Sequence, residues 1–281
     1  MARHADPTAA LVYPVFQEWL TGSLVTGQSL LTSERVPWTL ETLEELEVEF
    51  IGAPDVSEKI PFLEKLQMQI EGVSDDAVVL MAELHVVHFL MVWKGAIGGA
   101  KKVSDVQTIL SWRESTAGIE LPDALVEALQ VGVAHPGQWA VTYRHLQLGY
   151  LIRFAKAALE AEHWLDIAVD PHALKDLVES IDTGGRADSA QRLSVLHLAL
   201  PDHFEPIAQP KHKDAIVARY GGLLDEVPDD VDEAILQIRG VLTPQLGDLF
   251  DWYAEPTVRA WNRDEKSWNA FCQWASRFRE M

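Results

Sequence analysis

Cysteine occurs once in 281 residues, as Cys272. A lone thiol closes no intramolecular disulfide and supplies no cysteine-based zinc site, which points to a reducing, cytoplasmic setting. Basic side chains are also scarce, 23 Lys and Arg against 43 Asp and Glu, for a formal charge of −20. That imbalance excludes a whole-molecule electrostatic grip on nucleic acid or anionic lipid and leaves a local patch as the only route to phosphate. With 17 glycines and 14 prolines the chain is neither collagen-like nor low in complexity. Long apolar runs are missing too. The most apolar stretch, Ala77 to Trp93, is interrupted by Glu83, His85 and His88 and falls short of the roughly 20 residues of a membrane span. The first twenty residues carry acidic and proline interruptions where a signal peptide would need its apolar core, so no export and no membrane are expected.

Catalytic signatures are equally sparse. The nearest approach to a phosphate-binding loop, Gly95-Ala96-Ile97-Gly98-Gly99-Ala100-Lys101-Lys102, lacks the required glycine-lysine-serine/threonine spacing and follows a helix pattern instead of a strand. It reads as a helix end and loop. No nucleophile elbow and no cysteine-histidine signature occurs, and Cys272 falls on the apolar face of a helix pattern. Catalysis, a cofactor and a resident metal are therefore not expected of this chain.

What is present is helix punctuation. Strand-type alternation is nearly absent, whereas caps and three/four spacing recur throughout. Thr39 is placed to cap a helix burying Leu40, Leu43, Leu46 and Phe50, with its glutamates outward. Pro61 opens a second helix that Gly72 would end. Asp75 or Asp76 caps the apolar segment, a helix that needs neighbours on nearly every side and that Gly95, Gly98 and Gly99 would stop. Shorter helices follow over Val103–Trp112 and Asp123–Val131. The spacing from Gln138 to Ile167 predicts the longest helix, about 40–45 Å at 1.5 Å per residue. Asp170-Pro171 opens a helix to Ile181, and Thr183-Gly184-Gly185-Arg186 is the most linker-like point of the chain.

Beyond it, Asp188 precedes a helix to Leu200, Lys211–Tyr220 forms another, and Asp229 or Asp230 caps one that Pro244 would terminate. A last helix, Glu265–Met281, ends without a cap, as a segment of a longer protein would. The expectation is an all-α fold: an irregular multi-helix bundle around the central apolar helix (residues 1–184), with a smaller C-terminal helical subdomain (residues 185–281).

Two residue groups are candidates for chemistry. His85 and His88, three apart on one helix face, could share a metal but lack a third ligand. An independent helical enzyme or small-ligand protein would use this region, and packing within the core is the competing role. His197, His203 and His212 could converge in space without forming a motif. Basic charge lies late in the chain: residues 1–100 hold 15 acidic and 5 basic side chains, residues 211–281 hold 13 and 9. Lys211, Lys213 and Arg219 cluster on one helix, and Arg259, Arg263 and Arg277 gather near the end with Trp274 and other aromatics interleaved. Such a patch could contact phosphate and stack a base; such aromatics are more often core or interface anchors.

Several ordered segments resemble one family. Leu196-His197-Leu198-Ala199-Leu200-Pro201-Asp202-His203-Phe204-Glu205-Pro206-Ile207 is followed by Lys211-His212-Lys213-Asp214-Ala215-Ile216-Val217 and then by Val231-Asp232-Glu233-Ala234-Ile235-Leu236-Gln237-Ile238-Arg239. Phe62-Leu63-Glu64-Lys65-Leu66-Gln67-Met68-Gln69 precedes Met81-Ala82-Glu83-Leu84. With the residues between them they span about a quarter of the chain, and they resemble the helical region upstream of the motor in McrB-like AAA+ proteins of modification-dependent restriction, a phage-defence function. The resemblance implies a sensor, specificity or partner-docking module. It implies an AAA+ motor and a nuclease subunit as partners, with DNA contact through the basic patch as one possible task. No Walker motif is present, so GTP or ATP enters only through a motor joined to the chain or supplied in trans.

Overall fold

A computed structural model describes residues 7–52, 60–134, 142–182, 189–255 and 257–262. Among them every regular element is helical, and the one strand-like feature is an isolated parallel bridge between Val92 and Ala134. The fold is all-α, as expected.

The chain begins with α1 (Val12–Gln17), which widens into a π segment (Glu18–Ser23) and closes as α2 (Leu24–Thr26). Gly27 ends this run with φ 77°, where an added Cβ would also meet Val36 Cγ1 at 2.7 Å. Thr39 caps α3 (Leu40–Leu46) as expected, accepting from the Thr42 amide. Leu43, Leu46 and Phe50 are buried, but Leu40 stays exposed. A second π segment, Glu47–Ile51, follows, then α4 (Phe62–Gln69).

α5 (Asp75–Met91) is the axis of the fold, and every residue from Ala77 to Met91 is buried. Its cap is Ser74, not either aspartate: Ser74 Oγ accepts from the Ala77 amide and is itself held by Glu45. Asp75 and Asp76 occupy the first turn, where negative charge suits the helix dipole, and they pair with Arg113 and Arg35. α3, α6 (Gly99–Leu110), α7 (Asp123–Leu129), α8 (Arg144–Glu160), α1 and α11 (Ser189–Ala199) surround the axis. Burying a Val, Leu or Phe side chain contributes about 1.5–3 kcal/mol, so a helix apolar on all sides is stable only inside such a ring.

α5 stops at Met91, before the glycines expected to stop it. The chain turns extended at Val92 and meets the strand-like 131–134 segment, where Gly132, at φ 126°, has Val92 O 2.1 Å from where a Cβ would stand. Gly98 and Gly99 instead start α6. The helix expected over Gln138–Ile167 is shorter. α8 ends at Glu160, His163 takes a left-handed φ of 60°, and α9 (Trp164–Val169) follows. The break has a tertiary cause: it buries Trp164 against Phe154, with Nε1 donating to Leu20 O at 2.9 Å. Residues 135–141, where that expected helix begins, lie outside the described residues.

Asp170 caps α10 (Pro171–Ser180) through the Ala173 amide. α12 (Pro210–Tyr220) and α13 (Val231–Leu246) carry the smaller unit, with α14 (Thr257–Trp261) packed on α12. Asp230 caps α13, which runs through Pro244 and stops at Gly247. The linker at 183–186, Asp188 and the last expected helix lie outside the described residues.

Two apolar cores divide the molecule later than residue 184. α11 packs on α1, α5, α8 and α10, and the large core extends to Ala208. The small core comprises Ile207, Ile216, Ile235, Ile238, Leu242, Trp252 and Trp261. α10 and α11, on either side of residues 184 and 185, contribute to the same large core.

Candidate functional site

Ionisable groups inside an apolar bundle need partners, because an unpaired buried charge is costly. Glu83, on α5, accepts from Trp38 Nε1 at 2.6 Å, from the Leu30 amide at 3.0 Å and from Ser29 Oγ. Burial pushes its carboxyl up to about 7 against the pull of the Leu30, Ser29 and Trp38 donors. Lys102, on α6, closes the carboxy end of α5: its Nζ donates to Phe89 O at 3.0 Å, Val131 O at 2.7 Å and Val92 O. Burial lowers this amine to about 7. The glycine-rich sequence around Lys102 reads as a loop; the register of α6 turns the side chain inward.

These two groups are expected to pull stability in opposite directions on either side of neutral pH, the acid side being opposed by His85, whose depressed pKa makes stability rise with pH below about 6.5. The native fold keeps the Glu83 proton to about 7, whereas an unfolded carboxyl releases it near 4.5, so stability falls as pH rises between those values. The native Lys102 amine sheds its proton near 7 and the unfolded one near 10.5, so stability rises over that window. Each limb is worth about 3 kcal/mol or more. Urea midpoints at pH 5, 7 and 9.5 check this: Glu83→Gln is expected to flatten the acid limb and Lys102→Met the alkaline one. A Glu83→Gln variant that keeps the wild-type slope between pH 5 and 7, or a Lys102→Met variant that keeps it between pH 7 and 9.5, would contradict the assignment of that limb.

The paired histidines are sealed in the same core. His85 donates from Nδ1 to Met81 O at 2.8 Å and lies between the Phe62 and Phe89 rings. Burial and the Arg144 charge hold its pKa well below the ordinary value, so the ring is neutral. His88 Nδ1 meets Gln191 Oε1 at 2.8 Å, across to α11. Among the described residues no group of three His, Cys, Asp or Glu side chains is placed to hold a metal. Beside them Arg144 pairs with buried Asp105 at 3.1 Å and lies 5.0 Å from the centroid of Phe62. His197, His203 and His212 do not converge. His197 bonds Tyr13 OH and Phe204 O in the large core, His212 packs on Tyr253 and Trp261 in the small one, and His203 is exposed at the junction.

The basic patch is smaller than its sequence suggests. Lys213 is buried and bonds Asp232, so it is withdrawn from any phosphate contact. The reason is helical phase: Lys213 and Ile216, three apart, share the inward face of α12. Lys211 and Arg219 are exposed, with the Arg219 guanidinium over the Tyr220 ring, and Arg259 pairs on the surface with Glu255. Trp252 and Trp261 are core side chains, and Trp261 Nε1 donates to Trp252 O. Arg263, Trp274 and Arg277 lie outside the described residues.

Ion pairs hold the small unit together and tie it to α10. Arg239 on α13 forks onto Glu205 with both partners nearly fully buried, and its guanidinium lies 4.0 Å from the Phe250 ring centroid. Lys175 on α10 reaches Asp230 at 2.7 Å and Asp232 at 3.0 Å. The sequence alone does not reveal these pairs; their one local signal is that acidic and basic residues sit at apolar-face spacing.

A groove opens on the far side of α13. Glu233, Gln237 and Val241 form one wall, and Leu223, Leu224, Asp225, Glu226, Val227, Pro228 and Asp229 form the other. Comparison of the chain with protein-family models, with curated proteins and with solved structures returns no match.

Proposed function

We propose that this chain is a non-catalytic recognition and partner-docking module that works with a McrB-like AAA+ motor and its nuclease subunit. One observation carries the reading. Four charged residues of the resembling segments, Glu205, Lys213, Asp232 and Arg239, are spent inside the fold as two buried ion pairs that assemble the small unit. A pattern of that kind specifies a shape, and on this reading the shape serves recognition upstream of a motor. GTP or ATP belongs to the motor, joined or in trans. The net charge of −20 favours a protein partner over duplex DNA.

Tagged chain recovered from its own cells, with and without a non-hydrolysable nucleotide, tests this. Co-recovery of a Walker-motif nucleoside triphosphatase in a nucleotide-dependent manner is the expected result, and recovery of no such protein in either state overturns the reading.

DNA contact is a separate task of the same module and has its own measurement. If it occurs, it runs through Lys211 and Arg219, and Lys211→Glu/Arg219→Glu lowers the salt slope of binding by about 0.7–0.9 for each phosphate no longer neutralised. Lys65→Glu/Lys94→Glu, reversed elsewhere, leaves it unchanged. An equal drop in slope from both pairs would place the footprint elsewhere.

A further inference from the structure

We propose that the groove between the 223–229 segment and α13 receives a basic amphipathic helix of a partner protein. This deepens the docking reading and rests on it. The first argument is apolar exposure. Leu223, Val227 and Val241 are 49%, 43% and 43% exposed and face one groove of about 620 Å³. Isolated exposed apolar side chains need no explanation, but three of them set among acidic side chains in the walls of one groove mark an interaction surface.

The second argument is charge. The rim carries Asp225, Glu226, Asp229 and Glu233 and no basic residue. Elsewhere in the small unit Asp230, Asp232 and Glu205 are each matched by a cation. Among the described residues no cation lies within ion-pair distance of the four rim carboxylates, which all reach solvent. Two of them have a partial role inside the fold: Asp229 and Glu233 flank the start of α13, and Glu233 accepts from Gln237 at 3.2 Å. Asp225 and Glu226 lie outside any helix start.

The third argument is shape. Glu233, Gln237 and Val241 stand four residues apart along one face of α13, a straight wall of about 12 Å at 1.5 Å per residue. A helix of two to three turns fits such a wall, its apolar side on Leu223, Val227 and Val241 and its Lys or Arg residues on the rim. Acid on both walls selects against an acidic or neutral helix of the same apolar pattern.

The probe is a fluorescent 14-residue leucine/lysine peptide in amphipathic helical order, with a scrambled peptide of the same composition, titrated into the whole chain at near-physiological salt. The ordered peptide is expected to bind at least about tenfold more tightly. Asp225→Asn/Glu226→Gln/Asp229→Asn should weaken it about tenfold or more, whereas Glu34→Gln/Glu41→Gln/Glu49→Gln, which removes the same charge from exposed positions on the large unit, should not. Val241→Asn should weaken it with an unchanged melting curve. Equal weakening by the two triple variants, equal binding of the scrambled peptide, or no binding of either peptide overturns the groove. Wild-type chain cross-linked through a photoreactive leucine in the peptide reads the site without any variant. Adducts within 223–241 support it. Adducts elsewhere overturn it and leave the docking reading, judged by recovery of the motor, standing.

Discussion

Replacing Glu83 by alanine is expected to destabilise the chain by about 3–5 kcal/mol, close to the whole stability of many domains. The carboxylate is the acceptor for Trp38 Nε1, the Leu30 amide and Ser29 Oγ. Ser29 Oγ in turn accepts from the Leu31 and Thr32 amides, so one side chain of the central helix organises the loop between α2 and α3. Alanine strands those donors in a dry interior, and each buried donor without a partner costs about 1–3 kcal/mol. Glutamine keeps one oxygen for Trp38 and Leu30 and offers its amide to Ser29 Oγ, so its cost should be about 1–2 kcal/mol. Urea unfolding of the two variants at pH 8.5, where Glu83 is ionised, makes the comparison. Equal destabilisation, or an alanine effect under about 1 kcal/mol, would mean that water reaches the site and that the carboxylate does not order the loop.

The second large effect is expected at the Arg239–Glu205 fork. Arg239→Met should cost about 3–5 kcal/mol, because it leaves the buried Glu205 carboxylate without its cation and takes the guanidinium from the Phe250 and Trp252 rings. Glu205→Leu/Arg239→Met should recover most of that stability, since desolvation of the two charges offsets much of their attraction. Hydrogen exchange localises the effect. In Arg239→Met the amides of α12 and α13 should lose protection while those of α5 keep it, because the small core is separate from the large one. A uniform fall in protection across both cores would mean that the two units unfold as one. A double variant no more stable than Arg239→Met would show that the pair contributes more than its burial costs.

Legibility follows the range of the interactions. Thr39, Asp170 and Asp230 can be read as caps because a cap involves residues two or three apart, and all three cap in the structure. Ser74 competes with Asp75 and Asp76 because several residue types cap, and the choice among these neighbours rests on Glu45, which lies 29 residues away. The break at His163 has no local signal. Periodicity carries on through it, and only the burial of Trp164 against Leu20 and Phe154 explains it. Lys213 in the basic cluster is legible as a charge but not as a buried one, since its partner Asp232 is on another helix.

By itself the sequence determined that the protein is helical, that Ala77–Met91 runs through its centre, and that the chain as a whole repels phosphate. Each of these is a sum over local terms: spacing, caps and net charge. The tertiary structure alone decided where one core ends and the next begins. It decided which carboxylates of the small unit are matched by cations and which stand around the groove beside α13. Those outcomes depend on contacts between residues far apart in the chain, and neither periodicity nor composition encodes which distant helix a given face will meet.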